Sequence, residues 1–244
     1  MKLQKLYSYV RRALNDYEMI EENDRIAIGI SGGKDSLALL YALSGIRKFY
    51  PVKFSIVAIT IDLGWEDFDL APVERLCEKL DVEYHIIKTQ IAQIVFEERK
   101  EDNPCSLCAK MRKGSLNEAI KELNCNKVAY AHHRDDVVET MLLSLMYEGR
   151  FHSFAPVTKL NDANVTIIRP MLYVHEADVI GFIRRYNVPV IKSPCPVDGH
   201  TKREYVHELL LQLNRDNLGV KNRMFTAIKD SSIEGWVQGA PAEY

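Results

Sequence analysis

The sequence predicts an α/β protein with a parallel sheet of about five strands, helices on both faces, an N-terminal helix and C-terminal helices. Short runs rich in isoleucine, valine and alanine alternate with longer amphipathic segments along the 244-residue chain. Apolar runs without polar alternation are typical of parallel strands buried on both faces. Polar residues follow several of these runs, at the sheet edge where α/β proteins bind ligands.

The composition fits a globular protein with a sizeable core. Hydrophobic residues make up 47% of the chain and charged residues 27%, with a net charge of −2. That balance excludes a bulk polycation, so any nucleic-acid binding must use local basic clusters. No apolar run reaches the length of a membrane span and the N-terminus lacks a signal-peptide pattern, so we expect a cytoplasmic protein without membrane contact.

The helices follow from apolar spacing and from breaker residues. Apolar side chains recur every three to four positions from Leu3 to Tyr17, which predicts an amphipathic helix. Pro51 ends the second helix and Pro72 starts the third. The predicted helices are residues 3–19, 36–50, 72–80, 91–99, 105–123, 137–147, 175–186, 201–215 and 220–228.

The strands are the apolar runs between these helices. They are residues 26–30, 54–61, 82–87, 127–131 and 165–168. We expect residues 149–164 to be irregular and the tail after the last helix to be frayed. The whole chain, 1–244, is predicted to form a single domain, with an N-terminal helix in 1–20, a core in 21–190 and a C-terminal helical extension in 191–244.

The turn after the first strand has the composition of an anion-binding loop. It reads Ser31-Gly-Gly-Lys-Asp-Ser36 and leads directly into a helix. This arrangement aims backbone N–H groups and a helix N-terminus at an anion, while glycine allows close approach to phosphate oxygens. The spacing is not that of a Walker A loop. The candidate phosphate-binding residues are Ser31, Gly32, Gly33, Lys34, Asp35 and Ser36.

Carboxylates follow two more strand ends. Asp62 ends the second strand, and Asp135 and Asp136 follow the fourth. We expect these residues to meet the phosphate loop in one crevice. Asp135 or Asp136 is a candidate for Mg²⁺ binding or substrate activation, although carboxylates at a helix start also serve as ordinary caps.

The cysteines form a second group of candidate residues. Of the five cysteines, Cys105 and Cys108 form a CxxC pair at a helix start, and Cys195 lies between two prolines. A helix N-terminus and nearby basic residues favour the thiolate, the form that binds metal. Three thiolates could hold a zinc ion, or an iron–sulfur cluster with one iron open to an outside ligand. A redox disulfide between Cys105 and Cys108 is the competing chemistry.

Together these motifs resemble the PP-loop ATP pyrophosphatase superfamily, and within it the TtcA/TtuA group of tRNA sulfur-insertion enzymes. The matching segments are residues 31–36, 105–108, 131–136, 169–173, 176–178 and Cys195. The run Ala109-Lys-Met-Arg-Lys-Gly114 is most similar to the 2-thiocytidine branch. The TtuA-type enzymes carry paired-cysteine zinc elements near the chain ends, which this sequence lacks. The segment around Cys195 departs from the cysteine-rich segment of typical bacterial 2-thiocytidine enzymes.

The resemblance implies ATP, Mg²⁺ and a [4Fe–4S] cluster as cofactors and tRNA as substrate. The resemblance implies that the C2 oxygen of a tRNA pyrimidine is adenylated and then replaced by sulfur. Because the 2-thiocytidine branch is the most similar, the implied pyrimidine is cytidine. Cys105, Cys108 and Cys195 would hold the cluster, with Asp135, Asp136 and Arg112 completing the catalytic set. Asp62 would lie near adenosine. His132 would face the nucleotide and Arg169 would reach the phosphates.

Other functions remain open at this stage. Synthesis of 2-thiouridine or sulfur transfer to a small molecule would use the same residues. An amine nucleophile, as in lysidine synthetases, would need none of the three cysteines, and an iron- or redox-sensing regulator would not need an intact phosphate loop. Expected partners are tRNA and a sulfur donor, either a cysteine desulfurase or sulfide. The N-terminal helix could form a homodimer interface or cover the sheet.

Overall fold

The computed structural model describes residues 1–66, 68–99, 104–160, 165–195 and 202–237, together with the backbone of residues 242–243. The strands in this part of the chain are β1 (Asp24–Gly29), β2 (Phe54–Asp62), β3 (Glu83–Lys88), β4 (Lys127–Ala129), β5 (Val157–Leu160), β6 (Val165–Ile168) and β7 (Ala242–Glu243). They form a seven-stranded sheet with the order β3-β2-β1-β4-β6-β5-β7.

The five predicted strands form the parallel part of this sheet. β3, β2, β1, β4 and β6 all run in the same direction. The predicted α/β class with a parallel sheet is therefore confirmed. β5 adds an antiparallel strand beside β6, and β7 pairs in parallel with β5.

Two local predictions are wrong in this region. Residues 149–164 are not irregular throughout, because they contain β5, and the tail is not wholly frayed, because it contains β7. Both strands are short, of four and two residues. β5 pairs with β6, the next strand along the chain, and β7 pairs with β5 from the far end of the chain. Neither carries an apolar run long enough to predict a strand.

The described helices are α1 (Leu3–Asp16), α2 (Lys34–Ile46), α3 (Ala71–Lys79), α4 (Ile91–Gln93), α5 (Pro104–Glu122), α6 (Arg134–Leu143), α7 (Glu176–Tyr186), α8 (Lys202–Asp216) and α9 (Val220–Lys229). α4 and α6 continue as π-helical turns over Ile94–Arg99 and Ser144–Glu148. The predicted helix start at residue 201 lies outside the described residues.

Alternate residues of the central strands face two separate apolar layers. Ile26 and Ile28 of β1 join the layer that contains α1, α2 and α7. Ala27, between them, joins the opposite layer with Leu116 and Ile120 of α5. This alternation is what a strand buried on both faces requires, and it confirms helices on both faces of the sheet.

The apolar face of α1 is covered within the same chain. Leu6, Val10, Ala13 and Leu14 have no exposed surface and belong to the main core layer. Lys5 on the polar side of the helix pairs with Asp178 of α7 at 3.1 Å. The apolar face thus covers the core, one of the two roles that the sequence left open. Among the described residues, no helix is long and apolar enough to cross a membrane.

The strand order places a topological switch point between β1 and β4. β1 has β2 on one side and β4 on the other. The helix that follows β1 packs in the layer of α1, while α5, which precedes β4, packs on the opposite face. The loops that leave β1 and β4 lead to α2 and α6, and the crevice beyond these neighbouring strand ends is where open α/β sheets bind ligands.

Candidate active site

The phosphate loop after β1 is held by hydroxyl and backbone hydrogen bonds. Ser31 Oγ lies 3.2 Å from Ser36 Oγ and accepts the Gly33 N–H at 3.3 Å. Gly32 has φ +79°, a left-handed conformation that favours glycine. Its carbonyl accepts the Ile191 N–H at 2.9 Å. Gly33 caps α2 without a side chain, so the first-turn N–H groups remain available to an anion.

Lys34 and Asp35 form a charged group at the start of α2. Lys34 Nζ lies 2.9 Å from Asp35 Oδ2 and 3.2 Å from Glu176 Oε1 of α7. Burial acts to lower the pKa of Lys34, but the two carboxylates raise it overall, so the ammonium stays charged. Asp35 Oδ1 is buried and has no hydrogen-bond partner among the described residues. An orphaned carboxylate oxygen is the kind of ligand that Mg²⁺ prefers.

The two aspartates after β4 have different surroundings. Asp135 Oδ1 accepts from Lys221 Nζ at 2.7 Å, and its Oδ2 accepts the Glu176 N–H at 2.9 Å. Burial acts to raise the pKa of Asp135, but these bonds lower it overall. Asp136 Oδ2 accepts the His133 N–H at 2.8 Å within a capping box. Asp135 thus ties α6 to α7 and α9, whereas Asp136 is the aspartate that reaches the crevice.

A first cavity of about 530 Å³ lies in the crevice between β1 and β4. Its apolar wall includes Ile59 and Leu116, and its polar wall includes His132 and Asp136. Burial is the main reason why the pKa of Asp136 is raised. A cavity with an apolar slot and a few convergent polar groups has the character of a small-molecule site.

A second cavity of about 470 Å³ lies on the other side of the loop. It is lined by Lys34, Trp65, Phe68, Lys192 and Pro194, among others. The residues that line both cavities are Ile30, Ser31, Asp35, Ile61 and Arg112. The two cavities therefore meet at the phosphate loop.

His132 lines the first cavity as a neutral imidazole. Burial, followed by the charge of Arg169, lowers the pKa of His132 to about 3. Its Nδ1 accepts from Arg169 Nε at 3.3 Å, so the ring proton is on Nε2. The ring also stacks on Phe154, with centroids 4.6 Å apart. His132 is thus oriented to offer one N–H donor.

Arg169 connects His132 to β5. The residue is 7% exposed, and its guanidinium donates to His132 Nδ1 at 3.3 Å and to Thr158 Oγ1 of β5 at 3.0 Å. Among the described residues, Arg169 lines neither cavity. That it reaches the phosphates stays a prediction.

Asp62 shapes the end of β2 and does not itself line a cavity. Its Oδ1 accepts the Gly64 N–H at 2.9 Å, and Gly64 has φ +88°. The neighbouring Thr60 lines the second cavity and Ile61 lines both. The end of β2 therefore contributes to the crevice through Thr60 and Ile61, while the Asp62 carboxylate is used in the turn. That Asp62 lies near adenosine stays a prediction.

The three candidate cysteines approach one another next to the crevice. Burial raises the pKa of the Cys108 thiol, Arg112 lowers it in part, and both Cys195 and Cys105 raise it further through their charges. The expected lowering of this thiol's pKa is wrong, since burial outweighs the helix start and Arg112. Among the described residues, no three His, Cys, Asp or Glu side chains stand in metal-binding geometry.

The other two cysteines are buried in the apolar layers. Cys77 is 1% exposed and Cys125 is 6% exposed. Burial is the main reason why the pKa of Cys77 is raised to about 12. An inert, protonated thiol in a core is a packing residue.

Several site residues escaped the sequence reasoning. Glu176 pairs with Lys34, and Trp65 lines the second cavity. Arg203 and His207 of α8 contact Glu139 of α6 at 3.5 and 2.8 Å. In the sequence, Glu176 stands out only as part of the matching segment 176–178. Trp65 follows the end of β2, and Glu139 follows the pair Asp135 and Asp136. Those positions in the sequence could have indicated both residues.

Two cavities that share a phosphate loop at the switch point of a parallel sheet define a nucleotide-binding protein of the α/β class. The family model of the PP-loop domain matches residues 3–214. The chain is 40% identical over 222 residues to a tRNA-cytidine(32) 2-sulfurtransferase of Geotalea uraniireducens, covering 90% of this chain and 88% of the relative. It is 36% identical to the protein of that name in Geobacter sulfurreducens, covering 93% and 90%.

Solved structures agree on the fold. The U34-tRNA thiolase NcsA from Methanococcus maripaludis with its [4Fe-4S] cluster superposes with a TM-score of 0.74 at 24% identity, covering 93% of this chain and 77% of that one. The NH3-dependent NAD synthetase from Campylobacter jejuni has a TM-score of 0.53 at 14% identity, covering 94% and 93%. The chain belongs to the PP-loop family and, within it, to the group of the tRNA-cytidine(32) 2-sulfurtransferases.

Proposed function

We propose that this protein is an ATP-dependent tRNA sulfurtransferase that converts a tRNA cytidine to 2-thiocytidine. The observation that carries the proposal is the position of Arg112. It lines both cavities beside the phosphate loop, and its charge acts on Cys108, where it offsets part of the rise in pKa that burial causes. The nucleotide site and the cysteines are thus neighbours, as an enzyme that couples adenylation to sulfur transfer requires.

The first step is adenylation of the base. The C2 oxygen attacks the α-phosphorus of ATP, a C–O–P linkage forms, and the bond to the β-phosphate breaks to release pyrophosphate. The N–H groups at the start of α2 and the Lys34 ammonium stabilise the charge on the leaving phosphates. His132 offers its Nε2–H within the first cavity, where we place the adenosine.

The second step replaces the activated oxygen. Sulfide adds at C2, the C2–O bond breaks, and AMP leaves with the oxygen, while the proton of hydrosulfide passes to solvent. The ammonium of Lys34 and the guanidinium of Arg112 face the departing phosphate. The sulfur comes from free sulfide, or from a cysteine desulfurase whose persulfide sulfur is first reduced to hydrosulfide by a thiol reductant.

Mg²⁺ has suitable ligands at the loop. Asp35 Oδ1 is buried without a hydrogen-bond partner among the described residues, and the charge of Asp35 contributes to the raised pKa of Asp136. Two facing carboxylates beside a phosphate site suit a cation that keeps several water ligands. Asp35 and Asp136 are therefore the residues that would hold Mg²⁺.

The cysteines suit a [4Fe–4S] cluster in their donor chemistry. The charges of Cys105 and Cys195 both raise the pKa of the Cys108 thiol, so the three sulfurs lie in one region. Thiolates are the ligands of such clusters, and three of them would hold it. When bound, the cluster supplies an iron without a protein ligand at which sulfide can be held. Arg112 keeps a positive charge beside Cys108.

The test is reconstituted thiolation under anaerobic conditions. Purified protein, ATP, Mg²⁺, sulfide and an unmodified tRNA should give 2-thiocytidine by nucleoside mass spectrometry, with one AMP and one pyrophosphate per product. Cys195→Ala should keep the fold but lose most of its iron and its thiolation.

Cys125→Ala is the matched control, because that cysteine is buried in the layer under α5. It should retain iron and activity. Survival of both iron and thiolation in the Cys195 variant would refute the three-ligand model. A 2-thiouridine product would move the protein to the alternative substrate, and pyrophosphate release without any thionucleoside would favour a different nucleophile.

A further inference from the structure

The second cavity carries two aromatic side chains beside the phosphate loop. Trp65 and Phe68 follow the end of β2 and line this cavity. Trp65 packs against Phe96, with ring centroids 5.5 Å apart. Both side chains are half-buried. Aromatic side chains in the wall of a cavity are the surfaces on which unpaired RNA bases stack.

The indole nitrogen Nε1 of Trp65 makes no hydrogen bond within the described part of the chain. Its indole N–H is buried and has no acceptor among the described residues. A buried donor without a partner is costly, so such groups call for an explanation, and a missing ligand is one. A pyrimidine nucleotide offers carbonyl, ring-nitrogen and phosphate acceptors to such a donor.

The cavity also lies between the two reactive regions. Its wall includes Lys34 of the phosphate loop on one side and Lys192 to Pro194 on the other, directly before Cys195. Arg112 completes the wall. Lys34 and Arg112 serve the ATP phosphates in the proposed reaction, and Lys192 is a further cationic side chain in this wall that suits an RNA phosphate. A base seated here lies between the phosphate loop and the segment that carries Cys195.

The first cavity is the better place for adenosine. It lies at the switch point and has Ile59, Leu116 and Tyr130 in its wall. Its shared boundary with the second cavity includes Ser31 and Asp35, so phosphates at the loop can be reached from both sides. ATP in the first cavity leaves the second open to the acceptor.

We propose that the second cavity is the subsite for the target pyrimidine, which leaves the RNA stack and lies against Trp65. This inference rests on the proposed function. Phe68 forms part of the same wall, and Lys192 binds the adjacent RNA phosphate. Enzymes that act on a base inside RNA must first take it out of its stack, and an aromatic platform compensates for the lost stacking.

Kinetics of Trp65 variants test the subsite. Trp65→Ala should lower kcat/KM for tRNA by about 10-fold to 100-fold, while the KM for ATP stays within about twofold. Trp65→Phe retains a stacking face and should keep most of the activity. Phe49→Ala is the control, since Phe49 is 51% exposed and packs against Tyr7, which belongs to the N-terminal helix; it should behave as wild type.

Fluorescence gives an independent readout. The chain has two tryptophans, and Trp236 is only 1% exposed. An anticodon stem-loop RNA with an unpaired cytidine should quench the wild-type emission, ATP alone should not, and Trp65→Phe should lose the quenching. Quenching by ATP alone, with a raised ATP KM in Trp65→Ala, would identify the cavity as the adenine site and overturn the inference.

Failure of the proposed function and failure of the subsite inference give different results in the thiolation assay. If wild-type protein forms no thionucleoside from any tRNA, the function itself is wrong. If wild-type protein thiolates tRNA and Trp65→Ala does so with an unchanged kcat/KM, only the subsite is wrong.

Discussion

At the residue scale, Asp135 and Asp136 show how two adjacent carboxylates take different roles. Both follow β4 and both lie at the start of α6. Asp135 is 6% exposed and its two oxygens are bonded to α7 and α9, whereas Asp136 lines the first cavity. The sequence places both at the helix start. Only the packing of α7 and α9 assigns one to structure and the other to the site.

His132 gives a pH prediction at the same scale. Its pKa is lowered to about 3, mainly by burial, so the native state keeps it neutral while the unfolded chain protonates it near 6.5. The stability that this group contributes is therefore present above pH 6.5 and is lost as the pH falls toward 3. The melting temperature of the wild type should fall more steeply between pH 7 and pH 5 than that of His132→Asn.

Asparagine can still accept from Arg169 but does not titrate, so the comparison isolates the proton. The measurement is a thermal melt at several pH values for both proteins. Parallel curves would show that His132 does not bind a proton on unfolding.

At the element scale, α8 is tied to α6 by a buried ionic group. Glu139 of α6 is 4% exposed and accepts from His207 Nδ1 at 2.8 Å, with Arg203 3.5 Å away. Burial raises the pKa of Glu139, and the two basic residues offset part of this effect. Arg203 also reaches Asp136 at 3.3 Å, so α8 contacts the crevice directly.

Removal of one partner should loosen this helix. His207→Leu leaves Glu139 buried with less compensation and should lower the free energy of unfolding by about 1–3 kcal/mol at pH 7. Since a raised carboxyl pKa costs stability as the pH rises through it, the loss should shrink toward pH 5. Chemical denaturation at both pH values measures it.

A double variant separates the ionic effect from packing. Adding Glu139→Gln to His207→Leu should recover part of the loss, because no buried charge remains. Glu208→Gln, an exposed change on the same helix, should have little effect. Equal losses in the single and double variants would mean that packing alone docks α8.

At the scale of the whole molecule, charge is distributed unevenly despite a net value of −2. Lys221 is largely buried and Arg203 is exposed, and both pair with carboxylates of α6. Lys110 and Lys113 of α5 are exposed beside the cysteines. They are the basic residues best placed to meet RNA at the site.

Lys110→Ala and Lys113→Ala should each weaken tRNA binding and reduce the slope of log affinity against log salt by about one. Lys79→Ala, at the end of α3 on the opposite face of the sheet, should leave the slope unchanged. Filter binding between low and moderate salt measures it. A flat salt dependence in the wild type would remove α5 from the RNA interface.

Much of the fold follows from local patterns. The central parallel strands β1, β2, β4 and β6 are largely buried apolar runs, and the glycine turn after β1 predicts the phosphate loop because Gly32 needs a left-handed conformation. β5 and β7 are short and carry no such run, and β7 pairs with β5 from the far end of the chain. The contact between Arg169 and Thr158 of β5 therefore has no signal in the sequence.

The sequence by itself determined the α/β class, the phosphate loop and the presence of the three cysteines, because each depends on residue type and short-range spacing. The tertiary structure decided which side chains face the crevice. It set the neutral state of His132 and the raised pKa of Cys108. It also bonded Asp135 to α7 and α9 and left Asp136 in the wall of the first cavity. These properties depend on burial and on charges from distant elements, which spacing along the chain does not encode.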